Sequence, residues 1–277
     1  LALIRPQNTD QVSSILKLCN DNRQAIVPQG GMTGLVKAGM SNSSEIAVSL
    51  ERMNSILEID FDTATITVEA GVTLQDAQEA ADAHGLMLPL DLGARGSATI
   101  GGNLSTNAGG NRVIRYGMTR DMVLGVEAVL ADGTILSSLN KVLKNNAGYD
   151  LKQLFIGGEG TLGIITKAVL RLRPKPKSEN TAFVSVNGFD TVVKLLRSLE
   201  VSLSGTLSAY EVLWESAYKV LTGDHSHNTK PFPLGPSHFV LVEALGGDPI
   251  TDKDRFENAL GEAMQAGLVS DALVAQS

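Results

Sequence analysis

PLDLGARGSATIGGNLSTNAGGNRVIRYG, residues 89–117, decides how the rest of this chain is read. Between Gly93 and Gly110 almost every side chain is tiny, or neutral and able to hydrogen-bond. Glycine weakens helices and strands alike, so a folded protein concentrates it where main chain turns sharply or touches something closely. Fourteen of the 28 glycines fall between Gly93 and Gly163, about a quarter of the chain. A stretch of this length without its own pattern is functional or disordered. Ile100 and Leu104, with only small residues between them, argue for order. Such a surface lets main chain lie flat against a large planar polar ligand while offering many amide and hydroxyl contacts.

Working outward, Pro28-Gln29-Gly30-Gly31-Met32-Thr33-Gly34-Leu35 follows an expected strand at Ala25–Val27. Adjacent glycines let successive N–H groups converge on an anion, and Thr33 adds a hydroxyl donor. A tight loop needing glycine for its geometry is the bland alternative for this motif standing alone. On the other side, Gly158-Glu159-Gly160-Thr161-Leu162-Gly163 matches the G-x-G-x-x-G dinucleotide pattern. That pattern has meaning only where a helix opens on its last glycine. Here Ile164, Ile165, Val169 and Leu170 continue as β-branched and aliphatic strand sequence, so the Rossmann reading fails.

The chain has 277 residues, 43% hydrophobic and 19% charged, with a formal net charge of -7. Aliphatics are too plentiful for disorder, and no run approaches the ~18 uncharged apolar residues of a membrane span. The acidic balance argues against a nucleic-acid partner. The single cysteine, Cys19, excludes an internal disulfide framework or a cysteine-rich metal site. It lies with Val12, Ile15 and Leu16 on one face of a helix expected over Thr9–Asn22, capped by Thr9, and reads as buried and inert. Leu1–Pro6 reads as the tail of a strand, so an upstream segment is expected.

Further strands are expected at Glu45–Leu50, Ile56–Asp60 and Thr65–Ala70. Thr73 with Asp76 marks a helix start, and His84-Gly85 its end. Asp132-Gly133 marks a hairpin between Met122–Leu130 and Thr134–Leu139. A short helix is expected at Asp150–Ile156 and a strand over Gly163–Arg173. Composition changes at Arg173-Pro174-Lys175-Pro176-Lys177: residues 1–176 hold 16 basic and 17 acidic groups, residues 177–277 hold 7 and 13. A domain boundary is placed there. The second part alternates strand and helix in an order that suits a ferredoxin-like sheet. It stops at Ser277 straight after an expected strand, so a truncated second domain is expected.

Pro28–Leu35, Pro89–Gly117 and Gly157–Thr166 together resemble the FAD-binding domain of the vanillyl-alcohol-oxidase-type flavoproteins. More narrowly, Leu88–Gly93, Ile100–Gly110 and Gly157–Ile165 are similar to the D-2-hydroxy-acid dehydrogenases, the family of D-2-hydroxyglutarate dehydrogenase, D-lactate dehydrogenase and the glycolate oxidase D subunit. The resemblance implies an α+β fold: a two-subdomain FAD-binding domain over residues 1–176, then the start of a substrate-binding cap over 177–277. It implies that Gly30, Gly31, Thr33 and Gly34 hold the pyrophosphate, with Pro28 and Leu35 beside them also binding the cofactor. Pro89, Asp91, Gly93, Ser97, Ile100, Gly101, Asn103, Thr106, Ala108 and Gly109 then line the central portion and ring of the flavin, and Glu159, Gly163 and Ile165 close on the adenosine side. The near-neutral charge of residues 1–176 fits phosphates met by N–H groups rather than by arginines.

Some members of the superfamily bind flavin covalently through His or Cys. None of His84, His225, His227 and His238 lies in the glycine-rich run, so FAD is expected to be non-covalent. His225 and His227 fall in a Gly-, Pro- and Asn-rich loop and read as solvated rather than as metal ligands. The activity implied is oxidation of a D-2-hydroxy acid (2-hydroxyglutarate, lactate or glycolate class) to the 2-oxo acid, with hydride passing to flavin N5. The catalytic residues, and the ligands of any zinc-like divalent metal, are expected beyond Ser277. The implied partners are a small-molecule 2-hydroxy acid and an electron acceptor: an electron-transfer flavoprotein, a quinone or a cytochrome. The implied location is the cytoplasm, or the mitochondrial matrix in a eukaryote. A non-catalytic flavin-nucleotide-binding or electron-transfer module stays open as an alternative, as does a reductase that oxidises a nicotinamide cofactor.

Overall fold

The computed structural model describes residues 2–223 and 228–275. Two compact units divide them: residues up to Gly110 with Gly117–Lys175, and Asn111–Tyr116 with the residues from Pro176 onward.

The first unit opens with β1 (Ala2–Ile4), α1 (Thr9–Asp21), β2 (Ile26–Gln29) and β3 (Ile46–Ser49). These strands form an all-parallel sheet in the order β1-β3-β2. Helix α1 buries Val12, Leu16 and Cys19 at the expected four- and three-residue spacing. Val12 and Leu16 join Val48, Leu50 and Met53 in one core cluster. Burial pushes the Cys19 thiol up, away from reactivity. The expected cap is corrected by one residue. Asn8 accepts from the Gln11 N–H at 2.9 Å, while Thr9 sits inside the helix and donates to Glu127 Oε1 at 2.6 Å. A threonine serves either role locally, and the distant carboxylate decides.

Five more strands make a second, antiparallel sheet: β4 (Ile56–Asp60), β5 (Thr65–Glu69), β7 (Val123–Val129), β8 (Ile135–Ser138) and β9 (Ile164–Arg171), in the order β4-β5-β9-β7-β8. The remaining elements before Pro176 are α2 (Leu74–Asp82), β6 (Leu86–Met87), α3 (Ile100–Ser105), α4 (Val113–Tyr116), α5 (Thr119–Met122), α6 (Lys152–Phe155) and β10 (Arg173–Pro174), of which α4 alone belongs to the second unit. Thr73 caps α2 as expected, accepting from Asp76 N–H at 3.1 Å. Gly133, with φ +86°, closes the β7–β8 turn by donating to Leu130 O. Burial pushes the Glu127 carboxyl up, but hydrogen bonds from Thr9, Lys167 and Thr166 more than offset this and hold it below the usual range.

Helix α3 runs through two glycines of the Pro89–Gly117 stretch, against their low propensity. Tertiary contact overrides the preference. A Cβ on Gly101 would lie 2.7 Å from Ala70 Cβ, and the Gly101 N–H donates to Ala70 O at 2.7 Å. Ile100 donates to Val72 O at 2.8 Å, and Ile100 and Leu104 are buried. This anchors the glycine-rich run to the end of β5.

The second unit comprises α4 with β11 (Ser178–Val186), α7 (Phe189–Ser202), β12 (Leu207–Trp214), α8 (Glu215–Leu221), β13 (His238–Gly246), α9 (Pro249–Gln265) and β14 (Asp271–Val274). Its strands lie antiparallel in the order β12-β13-β11-β14, the 4-1-3-2 order of a ferredoxin-like sheet read from the other edge. The fold class is therefore α+β, as read from the sequence. Alternate residues Ala182, Val184 and Val186 of β11 and Val240, Val242 and Ala244 of β13 face α7 and α9 in one core. The other face carries Phe183, Leu213, Tyr218, Phe232 and Phe239. Helix α4, cut from the glycine-rich run, belongs to this unit.

Candidate functional site

Three segments far apart in sequence meet around α3. At its start, Gly30 and Gly31 follow β2 and lie directly against residues 97–102: a Cβ on Gly30 would be 2.6 Å from Thr99 Oγ1, and one on Gly31 only 1.7 Å from Ser97 O. Only bare main chain fits there. Thr99 is the α3 N-cap, its hydroxyl accepting from Gly102 N–H at 3.3 Å. At the other end of α3, Gly157 N–H donates to Leu104 O at 3.0 Å and Glu159 N–H to Ser105 O at 2.9 Å. The turn that carries Glu159 has φ +50° there and φ +77° at Gly160, whose missing Cβ would sit 2.5 Å from Pro28 Cγ. The segment after Gly157 thus touches both α3 and the first glycine motif.

Within the cradle one polar group stands out. Asn103 is 5% exposed, yet its Nδ2 has no hydrogen-bond partner among the described residues. A buried donor left without a partner costs about 1–3 kcal/mol, and a ligand acceptor at that point recovers it. The C-terminal part of the run is fixed by hydrogen bonds with Thr119 and Arg120. Asn107, at φ +47°, accepts from Arg120 N–H through Oδ1, and Ala108 O accepts from both the N–H and the hydroxyl of Thr119. A Cβ on Gly110 would lie 1.7 Å from Asp91 O, so Asp91 and Gly110 touch through main chain.

The other candidates named from the sequence are more scattered. Thr33, Gly34 and Leu35 are exposed, and nothing lies within 4 Å of a Cβ built on Gly34. Gly93, Thr106 and Gly109 are exposed, while Pro89 is buried. Ile100 and Ile165 are core side chains at 1% and 3% exposure, so only their main chain could face a ligand. Gly163 is close to Val129 O and the Phe155 ring, a demand of β9 packing. Directly after Gly163 the chain enters β9 rather than a helix, in keeping with the rejection of a Rossmann turn. His225 and His227 lie outside the described residues.

Sequence reading passed over Arg120. Its guanidinium donates to Ile156 O at 2.5 Å and to Gln153 O at 3.2 Å, bracing the Gly157 turn. No local signal marks it: the acceptors are main-chain oxygens more than thirty residues away.

Against this geometry, residues 1–138 match the family model described as FAD binding domain. The chain carries an FAD binding domain. That domain contains the first glycine motif, all of the Pro89–Gly117 stretch and Arg120. Over 99% of its length the chain is 45% identical to "Probable D-2-hydroxyglutarate dehydrogenase, mitochondrial" of Oryza sativa subsp. indica. It is 41% identical, again over 99%, to "D-2-hydroxyglutarate dehydrogenase, mitochondrial" of Arabidopsis thaliana. It spans about half of those relatives, 49% of each. Among solved structures, p-cresol methylhydroxylase with substrate bound superposes with a TM-score of 0.78 over 98% of this chain and 57% of that one, at 19% identity, which speaks for the fold. The superposition shows the fold, and the cofactor of the matched domain is FAD.

Proposed function

We propose that the chain is the flavin-binding part, with one substrate-facing unit, of an FAD-dependent dehydrogenase that oxidises a D-2-hydroxy acid to the 2-oxo acid. The observation that carries the reading is the main-chain cradle around α3, with the unpartnered Asn103 amide in it, inside an FAD binding domain whose relatives bear the D-2-hydroxyglutarate dehydrogenase name. The residues fit the cofactor. Main-chain N–H groups at Gly30 and Gly31, with Thr33, Gly34 and Leu35 beyond, would meet the pyrophosphate. Pro28 would shape that turn. Pro89, Asp91, Gly93, Ser97, Ile100, Gly101, Asn103, Thr106, Ala108 and Gly109 would border the flavin, with Asn103 Nδ2 donating to it. Glu159, Gly163 and Ile165 would border the adenosine. When bound, FAD supplies a two-electron acceptor for the hydride on the substrate Cα. The chain's own part is to orient it through fixed main chain, with Arg120, Thr119 and Asn107 holding the cradle rigid.

We read FAD as non-covalent, the boundary near residue 176 as that between cofactor and cap domains, and the catalytic residues and any zinc-like metal site as lying outside this chain. The electron acceptor is an electron-transfer flavoprotein, quinone or cytochrome, and the compartment the cytoplasm, or the matrix in a eukaryote. Among the described residues no helix is long and apolar enough to cross a membrane.

The test is reduction of the flavin. The protein at its full natural length, loaded with FAD, should bleach with D-2-hydroxyglutarate, D-lactate or glycolate and recover with an artificial acceptor. No bleaching with any of the three overturns the dehydrogenase reading in favour of a binding or electron-transfer module. Bleaching with reduced nicotinamide alone overturns it in favour of a reductase. Acid precipitation should leave the yellow colour in the supernatant.

A further inference from the structure

The glycine-rich run does not stay in one unit. At Gly110 the chain leaves the first unit, spends six residues, Asn111–Tyr116, in the second, and returns at Gly117. Both exits are pinned within the first unit. Gly110 is held against Asp91 O, and Gly117, at φ +78°, sits so close to the Asp121 carboxylate that a Cβ would fall 2.2 Å from Oδ2. The same Oδ2 accepts from Met118 N–H at 2.8 Å.

In the second unit the excursion is clamped by side chains. Arg112 makes a bidentate pair with Glu243 of β13, Nε to Oε1 at 2.9 Å and the terminal nitrogen to Oε2 at 2.7 Å. Glu243 also accepts from Ser208 Oγ of β12 at 2.6 Å, and Glu179 of β11 stands 3.8 Å from the same guanidinium. Both members of the pair are largely buried, with side chains 19% and 11% exposed. One turn on, Arg115 donates to Thr206 O at 3.1 Å and to Leu245 O, and its guanidinium covers the Tyr116 ring. Such charge-assisted, paired contacts are among the stronger ones a surface helix can make. Six residues reach at most about 20 Å, so the tether is short as well as fixed at both ends.

We infer that Arg112 and Arg115 are positioning residues which couple FAD binding at Gly93–Gly110 to the folding of the second unit, so that cofactor and cap stabilise each other. The inference rests on the FAD-site assignment proposed above. Coupling of this kind is reciprocal: if the ordered tether favours FAD, then FAD must favour the ordered clamp by the same free energy.

The protein carries its own reporter. Trp214, the only tryptophan, lies in the second unit, stacked on Phe189 at 5.8 Å and 4.5 Å from the His238 ring. Unfolding of that unit is followed by Trp214 emission with and without FAD, and FAD affinity is measured separately by flavin fluorescence. In the unaltered protein FAD should raise the Trp214 midpoint. In Arg112→Gln the FAD-induced rise should shrink towards zero and the FAD Kd should increase about tenfold, the usual scale of coupling between sites. A clamp that is merely structural would lower the midpoints of the FAD-free and FAD-loaded protein alike and leave the Kd unchanged; that result overturns the inference. Arg115→Gln, which removes contacts to two carbonyls and leaves no buried carboxylate bare, carries the same comparison if Arg112→Gln does not fold. If the unaltered protein binds no FAD, the site assignment falls, and this inference with it. If it binds FAD with no rise in the Trp214 midpoint, the coupling alone falls.

Discussion

Two neighbouring parts of one glycine-rich run are held by opposite means. Residues 93–110 are seated main chain on main chain, with Gly31 against Ser97 O and Gly110 against Asp91 O. Residues 111–116 are held by long charged side chains reaching into a sheet, Arg112 to Glu243 and Arg115 to two carbonyls. The first arrangement tolerates no added atom at Gly31 or Gly110 and responds little to pH. The second tolerates changes of shape but depends on charge. A surface meant to receive a cofactor gains from rigid, side-chain-free walls. A tether gains from contacts of high energy and few atoms.

The sharpest way to break this contrast is to add one methyl group. Gly31→Ala and Gly110→Ala each place a Cβ 1.7 Å from a carbonyl oxygen, so main chain must move. Each should cost about 3 kcal/mol in the first unit and abolish FAD retention, checked by urea unfolding and by flavin content after purification. If either variant unfolds at the midpoint of the parent, the close main-chain seat is wrong.

On the clamp side, Glu243→Gln should cost about 2 kcal/mol, the range for a hydrogen bond to a charged group. It should also change the response to acid. Burial pushes the Glu243 carboxyl up, but hydrogen bonds and charge from Arg112, with Ser208, hold it below the usual range. A lowered folded-state value means the contribution is fully present above the unfolded value of about 4.3 and is lost as pH falls through the folded one. The Trp214-monitored midpoint should therefore drop below about pH 4.5, and drop less steeply in Glu243→Gln. An identical acid slope in both proteins would sink the assignment of charge to the clamp.

Asn103→Leu separates binding from stability. Because Nδ2 has no partner among the described residues, the FAD-free protein should lose less than about 1 kcal/mol. FAD affinity should fall about tenfold, the equivalent of about 1.4 kcal/mol. A large loss of FAD-free stability would mean that the amide is already satisfied.

The smallest effect is expected at Gly34, where a Cβ meets nothing within 4 Å. Gly34→Ala should leave the FAD-free midpoint unchanged or raise stability by up to about 1 kcal/mol, while weakening FAD binding. Unchanged FAD affinity would remove Gly34 from the pyrophosphate site and confine that site to Gly30 and Gly31.

Much was legible in the chain because it is written locally. Thr73 caps a helix through Asp76, only three residues on, and Asp132-Gly133 closes a hairpin because glycine accepts φ +86°. The order of strands and helices after Lys177 gives a ferredoxin-like sheet through hydrophobic alternation alone. The glycine excess pointed to bare main chain for the same reason: a missing side chain is visible in any sequence. What the chain alone could not show depended on partners far away. Thr9 reads as a cap until Glu127, 118 residues on, takes its hydroxyl. The bareness of Gly163 also has a distant cause, since a Cβ there would meet Val129 O and the Phe155 ring.

The sequence by itself determined most of the longer elements, the fold class and the places where backbone lies bare, because capping, alternation and glycine each act within a few residues. Only the tertiary structure decided that Gly30–Gly31, α3 and the Glu159 turn form one cradle, and that Arg112 and Arg115 belong to the other unit. Those facts rest on contacts such as Arg112 to Glu243, 131 residues apart. Such pairings are settled by which buried charges and carbonyls find partners in three dimensions, and no local pattern encodes that choice.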